Sequence, residues 1–312
     1  MIRKVCIVLL IIASLIVPSI GFTEVRINPD KLYKNGIKAY NKNNYEKANK
    51  LFNEAINNGL QEPLLSDARS RLQMSVKSDN AIIDHITGMA FVLVKGGCFQ
   101  MGDTFGDGAA SEKPVHEVCV SDFYMGKYEV TQGQWKKLMG NNPSDLNDCA
   151  DDDCPVKQVS WDDAQAFISK LNTKSGKNYR LPMEAEWEYA ARSGGKREKW
   201  AGTSNESSLG NYAWYDDNSE GRAHPVGKKR ANGLGFYDMS GNVLEWCEDW
   251  YGKSYYSESP RNNPRGPSAG QARVLRGGPW AVRWWVRTSV RDAKLPYLAG
   301  HATGFRVAAP AR

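Results

Sequence analysis

The stretch Asp238-Met239-Ser240-Gly241-Asn242-Val243-Leu244-Glu245-Trp246 gathers two carboxylates, an amide and a flexible glycine into one short run. Hard oxygen donors at this density suit a calcium ion, with backbone carbonyls filling the remaining positions. The alternative is a turn capped by side-chain hydrogen bonds. The surrounding sequence has the same texture. With 10 Trp and 29 Gly, the chain predicts a loop-rich architecture in which large rings pin irregular backbone. Beyond Gly194-Gly195 it reads as loops and short strands. No strand–helix–strand alternation is visible, which excludes a dinucleotide-binding or barrel enzyme.

Upstream, Met89 to Val94 is a strand-like apolar run followed by Gly96-Gly97-Cys98-Phe99-Gln100-Met101-Gly102. Helices are predicted from Thr131 to Met139, with Thr131 as cap, and from Ser160 to Asn172. In the latter Ser160 is the cap, and Asp162 and Asp163 suit the helix dipole. A third is predicted to begin at Leu181-Pro182 and run through Glu184, Glu186, Trp187, Tyr189 and Ala190. Its proline entry and first-turn acids read as structure, with Trp187 facing the core. Residues 30–80 read as helices of a separate segment. Gly36, Ala39, Tyr45, Ala48 and Phe52 recur at helical spacing around a polar turn, and Asn58-Gly59 ends the second helix. The small and bulky positions resemble one tetratricopeptide unit, which cannot bury its apolar face alone. A further helical stretch from about Leu64 to Val76 is expected to supply part of its cover.

The N-terminus predicts export. Arg3-Lys4 precede an apolar core from Val5 to Val17, and Ser19-Ile20-Gly21 places cleavage after Gly21. An uncleaved anchor is the alternative, although a comfortable membrane span needs roughly 20 residues. Removing Arg3 and Lys4 from the 41 basic residues leaves 39 against 35 acidic ones. That mild, evenly spread charge argues against nucleic acid as a partner. Cys6 lies within the signal core, which leaves Cys98, Cys119, Cys149, Cys154 and Cys247. An odd count in an oxidising compartment implies two bridges and one leftover thiol. Cys149 and Cys154 are placed to clip a loop, and Cys98 and Cys119 to pair across two strands. No paired C-x-x-C occurs, and His85, His116, His224 and His301 show no metal-triad spacing.

Several segments, in order, carry a family resemblance. They are Gly97-x-Phe99-x-Met101-Gly102, Phe123-Tyr124-Met125-x-x-Tyr128-Glu129-Val130-Thr131 and Pro155-Val156-x-x-Val159-Ser160-Trp161. Arg180-Leu181-Pro182-x-Glu184-Ala185-Glu186-Trp187-Glu188-Tyr189-Ala190 and the Asp238–Trp246 run follow. Arg276-Gly277-Gly278-x-Trp280 and Gly304-Phe305-Arg306 complete the set. Residues 88–312 with these motifs resemble the formylglycine-generating enzyme (sulfatase-modifying factor) family. The resemblance implies an α+β, C-type-lectin-related fold with little regular secondary structure and structural calcium. It carries calcium ligation onto Asp238, Gly241, Val243 and Glu245, the glycine and valine acting through their carbonyls. A second calcium site is implied at Asn211 and the Tyr212 carbonyl, with Asn218 and Glu220 as further ligands.

The resemblance also shows what is missing. Formylglycine-generating enzymes oxidise a substrate cysteine with a cysteine pair that holds copper, and a soft thiolate pair is what Cu(I) requires. That pair falls just after the double glycine. Here the segment reads Gly277-Gly278-Pro279-Trp280-Ala281-Val282-Arg283-Trp284-Trp285-Val286-Arg287, with no cysteine. Copper is therefore not expected, and one lone thiol, Cys247, does not replace a dithiol. Related sulfur-transferring enzymes add an iron-binding domain with clustered histidines, which the helical segment lacks. No serine-hydrolase, phosphate-loop or dinucleotide pattern occurs.

What remains is a surface. Trp280, Arg283, Trp284, Trp285, Arg287, Arg291 and Tyr297 lie where this fold builds its ligand-facing cleft, and Trp, Tyr and Arg are hot-spot residue types. The alternative is that several of them, Trp280 in particular, are core. The expectation is a periplasmic or secreted binding or assembly factor for an envelope protein, peptide or glycan, meeting a membrane only through an uncleaved signal segment. A metal-dependent modifying enzyme without the cysteine pair, and a purely structural envelope domain, stay open as alternatives.

Overall fold

A computed structural model of the chain describes residues 28–41, 45–68, 81–145 and 149–311. The predicted signal segment, residues 1–21, lies outside them, as does most of the expected helical stretch after Leu64. Among the described residues no helix is long and apolar enough to cross a membrane. The chain divides into two compact units, Met1–Ser75 and Val76–Arg312.

The smaller unit is a helical hairpin, α1 (Pro29–Asn41) and α2 (Tyr45–Asn57). Gly59 at φ 87° lies just beyond α2, where the Asn58-Gly59 pair predicts the stop. Ala39, Ala48, Phe52 and Ala55 are buried between the helices with Leu32, Leu60 and Ala68. Gly36 permits this approach, because a Cβ there would stand 2.6 Å from the Phe52 ring.

The larger unit mixes short helices with three small sheets. Strands β1 (Ala81–Ile83), β2 (Ala90–Val94), β5 (Phe123–Gly126) and β10 (Ala308–Pro310) pair in that order, all antiparallel. β3 (Gly97–Met101) and β4 (His116–Val120) form a two-stranded ribbon. β8 (Asp292–Lys294), β7 (Arg273–Arg276), β6 (Leu244–Trp250) and β9 (Thr303–Gly304) make the third sheet, in which β6 and β9 run parallel. The sequence reading starts this unit near Gly88 and so omits β1, which is three residues long and ends at a turn closed by Asp84.

The helices follow their caps. Thr131 accepts the Gln134 N–H at the start of α3 (Gln132–Met139), and Gly140 ends it at φ 90°. Ser160 accepts the Asp163 N–H at the start of α4 (Trp161–Ser175), and Gly176 ends it at φ 66°. The third helix, α5 (Glu184–Ala191), begins two residues after Pro182, and every one of its side chains is buried. Trp187 lies in one core with Phe99, Met101, Val118 and Val120 of the ribbon and Phe236. Trp135, Phe167 and Phe305 stack in the other, with Trp246.

The three glutamates of α5 are held by arginines. Arg180 grips Glu186 at 2.6 and 2.7 Å, and Arg291 grips Glu184 at 2.6 and 2.8 Å. Arg192 and Arg276 share Glu188. Buried charges persist only when paired in this way, and the pairing gives these acids a structural role. Both expected bridges are present, Cys98–Cys119 across the ribbon and Cys149–Cys154 clipping a loop. Among the described residues Cys247 is the free, buried thiol.

Candidate functional site

The Asp238–Glu245 run leaves the Phe236 core and enters β6 through left-handed backbone at Asp238 (φ 57°), Gly241 (φ 88°) and Asn242 (φ 63°). Gly241 has no substitute: a Cβ there would meet the Trp214 carbonyl oxygen at 1.9 Å. Asn242 locks the loop from every side. Its amide nitrogen donates to Glu129 Oε2 at 2.6 Å, and its amide oxygen accepts the His224 N–H at 2.9 Å. Its carbonyl accepts the Trp280 N–H at 2.9 Å. Glu129 Oε1 accepts the Val243 N–H at 3.1 Å, so one buried carboxylate holds both the Asn242 side chain and the Val243 peptide.

The electrostatics of the run are unbalanced. Glu129, Asp238 and Glu245 are all buried, and Arg306 is the guanidinium that faces them. Glu245 is already engaged: it takes Arg306 at 2.6 and 2.7 Å and the Trp187 indole N–H at 2.8 Å. Asp238 takes the Gly227 N–H at 2.7 Å through Oδ2, while its Oδ1 is buried with no hydrogen-bond partner. Burial pushes the Asp238 carboxyl up to about 6. Burial, and then the charges of Asp238 and Glu245, push Glu129 well above the carboxylate range. A cation relieves both the orphaned oxygen and the surplus negative charge. The orphaned Asp238 oxygen suits a hard cation, and Glu245 could join it only with oxygen capacity left over from Arg306 and Trp187. Among the described residues no three His, Cys, Asp or Glu side chains converge as a metal cage. Backbone oxygen therefore has to complete any such site. Glu129 appears in a sequence motif, but nothing local marks its role, since its partners lie more than a hundred residues away.

The second expected set has other partners. The Asn211 carbonyl accepts the Arg230 N–H at 2.8 Å. Tyr212 caps the C-terminus of a two-turn 3₁₀ helix, Glu206–Asn211. Asn218 closes the turn that carries Tyr215, accepting its N–H at 3.0 Å and donating to the Ala213 carbonyl at 3.0 Å. Glu220 is exposed and pairs with Arg222 at 2.9 Å. Of this set, the Asn218 amide is engaged in a turn and the Glu220 carboxylate faces solvent beside Arg222.

The expected cleft residues separate into two groups. Trp280 is only 4% exposed and packs with Cys149, Cys154 and Val243, with His301 edge-on to its ring. Arg287 grips Glu112 at 2.8 and 2.9 Å, and Arg291 grips Glu184. Trp280 and Arg291 are buried, which agrees with the core alternative for them, and Arg287 is half-buried against Glu112. Arg283 bridges Asp217 and Glu206 at the surface. Trp284 is 69% exposed, Trp285 39% and Tyr297 65%, unusual values for large rings. His224 stacks on Trp214 and its Nε2 lies 2.8 Å from the Ser219 carbonyl, while His116 lies against Tyr256 with its Nε2 buried and unpartnered. Burial raises the Cys247 thiol well above its usual range, which makes it unreactive.

Comparison with known proteins agrees with this architecture. Residues 82–311 match the family model described as the sulfatase-modifying factor enzyme 1-like domain. The chaperone protein LppX of Paenibacillus barcinonensis is 33% identical over 66% of this chain and 81% of its own length. The formylglycine-generating enzyme of Streptomyces coelicolor is 31% identical over 70% and 88%. The serine/threonine-protein kinase pkn1 of Chlamydia caviae is 31% identical over 82% of this chain and 43% of its own length. Among solved structures, Treponema denticola variable protein 1 superposes with a TM-score of 0.68 at 32% identity, over 74% of this chain and 99% of that one. PvdO from Pseudomonas aeruginosa superposes at 0.65 with 26% identity, over 74% and 98%. With the motifs, the mixed loop-rich fold and these relatives in agreement, this chain belongs to the sulfatase-modifying factor enzyme 1-like domain family.

Proposed function

We propose that this chain is an exported, calcium-stabilised binding or assembly factor that does not generate formylglycine. The observation that carries the reading is the state of its cysteines. Cys98, Cys119, Cys149 and Cys154 are bridged and Cys247 is buried. The segment from Pro279 to Arg287, where the family places its copper-holding pair, has none. The family's oxidation needs two adjacent thiolates, and this chain offers no such pair in its folded domain. Calcium at Asp238 would fix the left-handed loop between the two cores. A periplasmic or secreted location follows from the N-terminal sequence, and the helical hairpin joins the domain as a tetratricopeptide-like appendage. A relative named as a chaperone supports a role in handling other proteins.

Binding is assigned to the exposed aromatics, with an envelope protein, peptide or glycan as ligand. Aromatic side chains give large contact area at low entropic cost, which suits each of these partners. Trp284→Ala with Trp285→Ala tests the assignment by cross-linking to an envelope extract and by thermal melting. The expected result is an unchanged melting temperature with the cross-linked partner lost. Unfolding of the double variant would place these rings in the core and remove the surface.

A further inference from the structure

The two disulfides occupy opposite environments. Cys149 and Cys154 are 6% and 0% exposed and lie in an apolar cluster with Trp280. Cys98 is exposed and Cys119 half-buried, on the outer face of the β3–β4 ribbon. Alternation along the strands puts Phe99, Met101, Val118 and Val120 on the inner face, all in the core. The ribbon pairs five residues deep, from Gly97↔Val120 to Met101↔His116, with Cys98 directly opposite Cys119. Its second strand is also tied to the 261–263 segment: the Cys119 N–H donates to the Arg261 carbonyl at 2.7 Å, and the Cys119 carbonyl accepts the Asn263 N–H at 2.8 Å. Core packing and backbone pairing therefore hold the two sulfurs opposite each other whether or not they are joined.

Two further features surround this bridge. The Arg261 guanidinium reaches Cys98 Sγ at 4.0 Å, and it is itself paired with Glu117. Cys98 also lines an open groove of about 780 Å³ together with Phe105, Glu117, Arg192, Lys196 and Arg197. Arg192 is neutralised by Glu188, whereas Lys196 and Arg197 are exposed. A groove of this size admits a peptide-sized molecule. Its acids Asp103 and Glu117 are paired with Lys113 and Arg261, so the exposed Lys196 and Arg197 favour an anionic one.

We propose that Cys98–Cys119 is a thiol–disulfide exchange site whose co-reactant is a thiolate arriving through this groove. The incoming thiolate attacks the exposed Cys98 Sγ, the Cys98–Cys119 bond breaks, and Cys119 leaves as a thiolate that takes a proton. A second thiolate then attacks the partner's sulfur in the mixed disulfide and releases Cys98 as a thiolate beside Arg261. The protein's disulfide is reduced to a dithiol, and two thiols of the co-reactant are oxidised to one disulfide. Arg261 favours each step by drawing in the anionic nucleophile and stabilising the Cys98 leaving group, since a lower thiol pKa makes a better leaving group. Glutathione and an exposed protein dithiol offer the same chemistry. The reverse reaction lets the reduced site receive a disulfide.

The folded chain is incubated with reduced glutathione, quenched by alkylation and mapped by mass spectrometry, while circular dichroism follows the fold. Cys98 and Cys119 are expected to become labelled while Cys149, Cys154 and Cys247 stay protected. Labelling of both bridges together, or of none until the protein melts, would overturn the proposal. Arg261→Gln is expected to slow the exchange about fivefold, the effect of one unit charge about 4 Å away in water. Glu117→Gln, which releases Arg261, is expected to accelerate it. Identical rates in all three proteins would remove Arg261 from the site. Cys119→Ser leaves Cys98 as a free thiol, to be offered oxidised glutathione and, separately, an oxidised thioredoxin. A mixed disulfide on Cys98 with either one names the co-reactant's source, and capture of neither contradicts the site.

Discussion

Asp238 keeps one carboxylate oxygen buried without a donor, and an unsatisfied buried acceptor costs roughly 1–3 kcal/mol. A divalent cation at that oxygen removes the penalty, so calcium is predicted to stabilise the domain measurably. At a hundredfold excess over its dissociation constant the ligand contributes about 2.7 kcal/mol. For a unit of this size each kcal/mol shifts the melting temperature by roughly 2–4 °C. Thermal melts with calcium and with a chelator should therefore differ by about 5–10 °C, and Asp238→Ala, which removes the side-chain oxygens altogether, should abolish the difference. An equal calcium shift in the variant would move the ion elsewhere. Gly241 sets a second residue-scale expectation. A Cβ at that position meets the Trp214 carbonyl at 1.9 Å on left-handed backbone. Gly241→Ala should cost about 3 kcal/mol or more in denaturant unfolding, among the larger single-residue effects. A loss under about 1 kcal/mol would contradict the packing described.

At the scale of elements, the ion pairs that bind loops to helices set the acid response. Burial opposes ionisation of Glu112, but hydrogen bonds from Arg287, Ser289 and the Ala109 N–H hold its carboxyl below the usual carboxylate range. A depressed folded-state pKa gives stability that is fully present above the unfolded value of about 4.3 and is lost as pH falls through the folded one. Glu112→Gln should therefore lower stability at neutral pH by about 3 kcal/mol, the scale of breaking a buried pair, and flatten the loss of stability below about pH 4. An unchanged acid limb in urea titrations would show that the pair is not responsible. Arg287 also shows why part of the site was not legible in sequence. It stands 175 residues from Glu112, and no local pattern reveals that partner, so its residue type alone suggested a ligand surface. For Trp280 the sequence left core and cleft both open, because the neighbours that decide it, Cys149, Cys154 and Val243, come from distant segments. Caps and glycines were legible: Thr131, Ser160 and the Asn58-Gly59 stop act within a few residues of themselves. The run from Asp238 to Glu245 was legible as a cluster of donors. That Arg306 already grips Glu245, and that Glu129 clamps Asn242 and Val243, emerged only from folding.

The whole molecule combines a family scaffold with an altered chemical complement. Short strands, capped helices and arginine-locked acids build the shared core, and the relatives named above share that scaffold across much of this chain. Chemistry on such a scaffold depends on a few side chains, and fold alone does not supply it. In this chain the Pro279–Arg287 segment holds no cysteine and presents Trp284 and Trp285 to solvent, where the resemblance leads one to expect a thiol pair. The most direct test uses the purified protein without its signal segment, with calcium present and copper added or withheld. It is incubated aerobically with a sulfatase-type Cys-x-Pro-x-Arg peptide and read by mass spectrometry. The account predicts an unchanged peptide cysteine under both conditions, from protein shown to be folded by its melting transition. Copper-dependent conversion of that cysteine to formylglycine would contradict it and require an oxygen-activating site that does not use the family's cysteine pair.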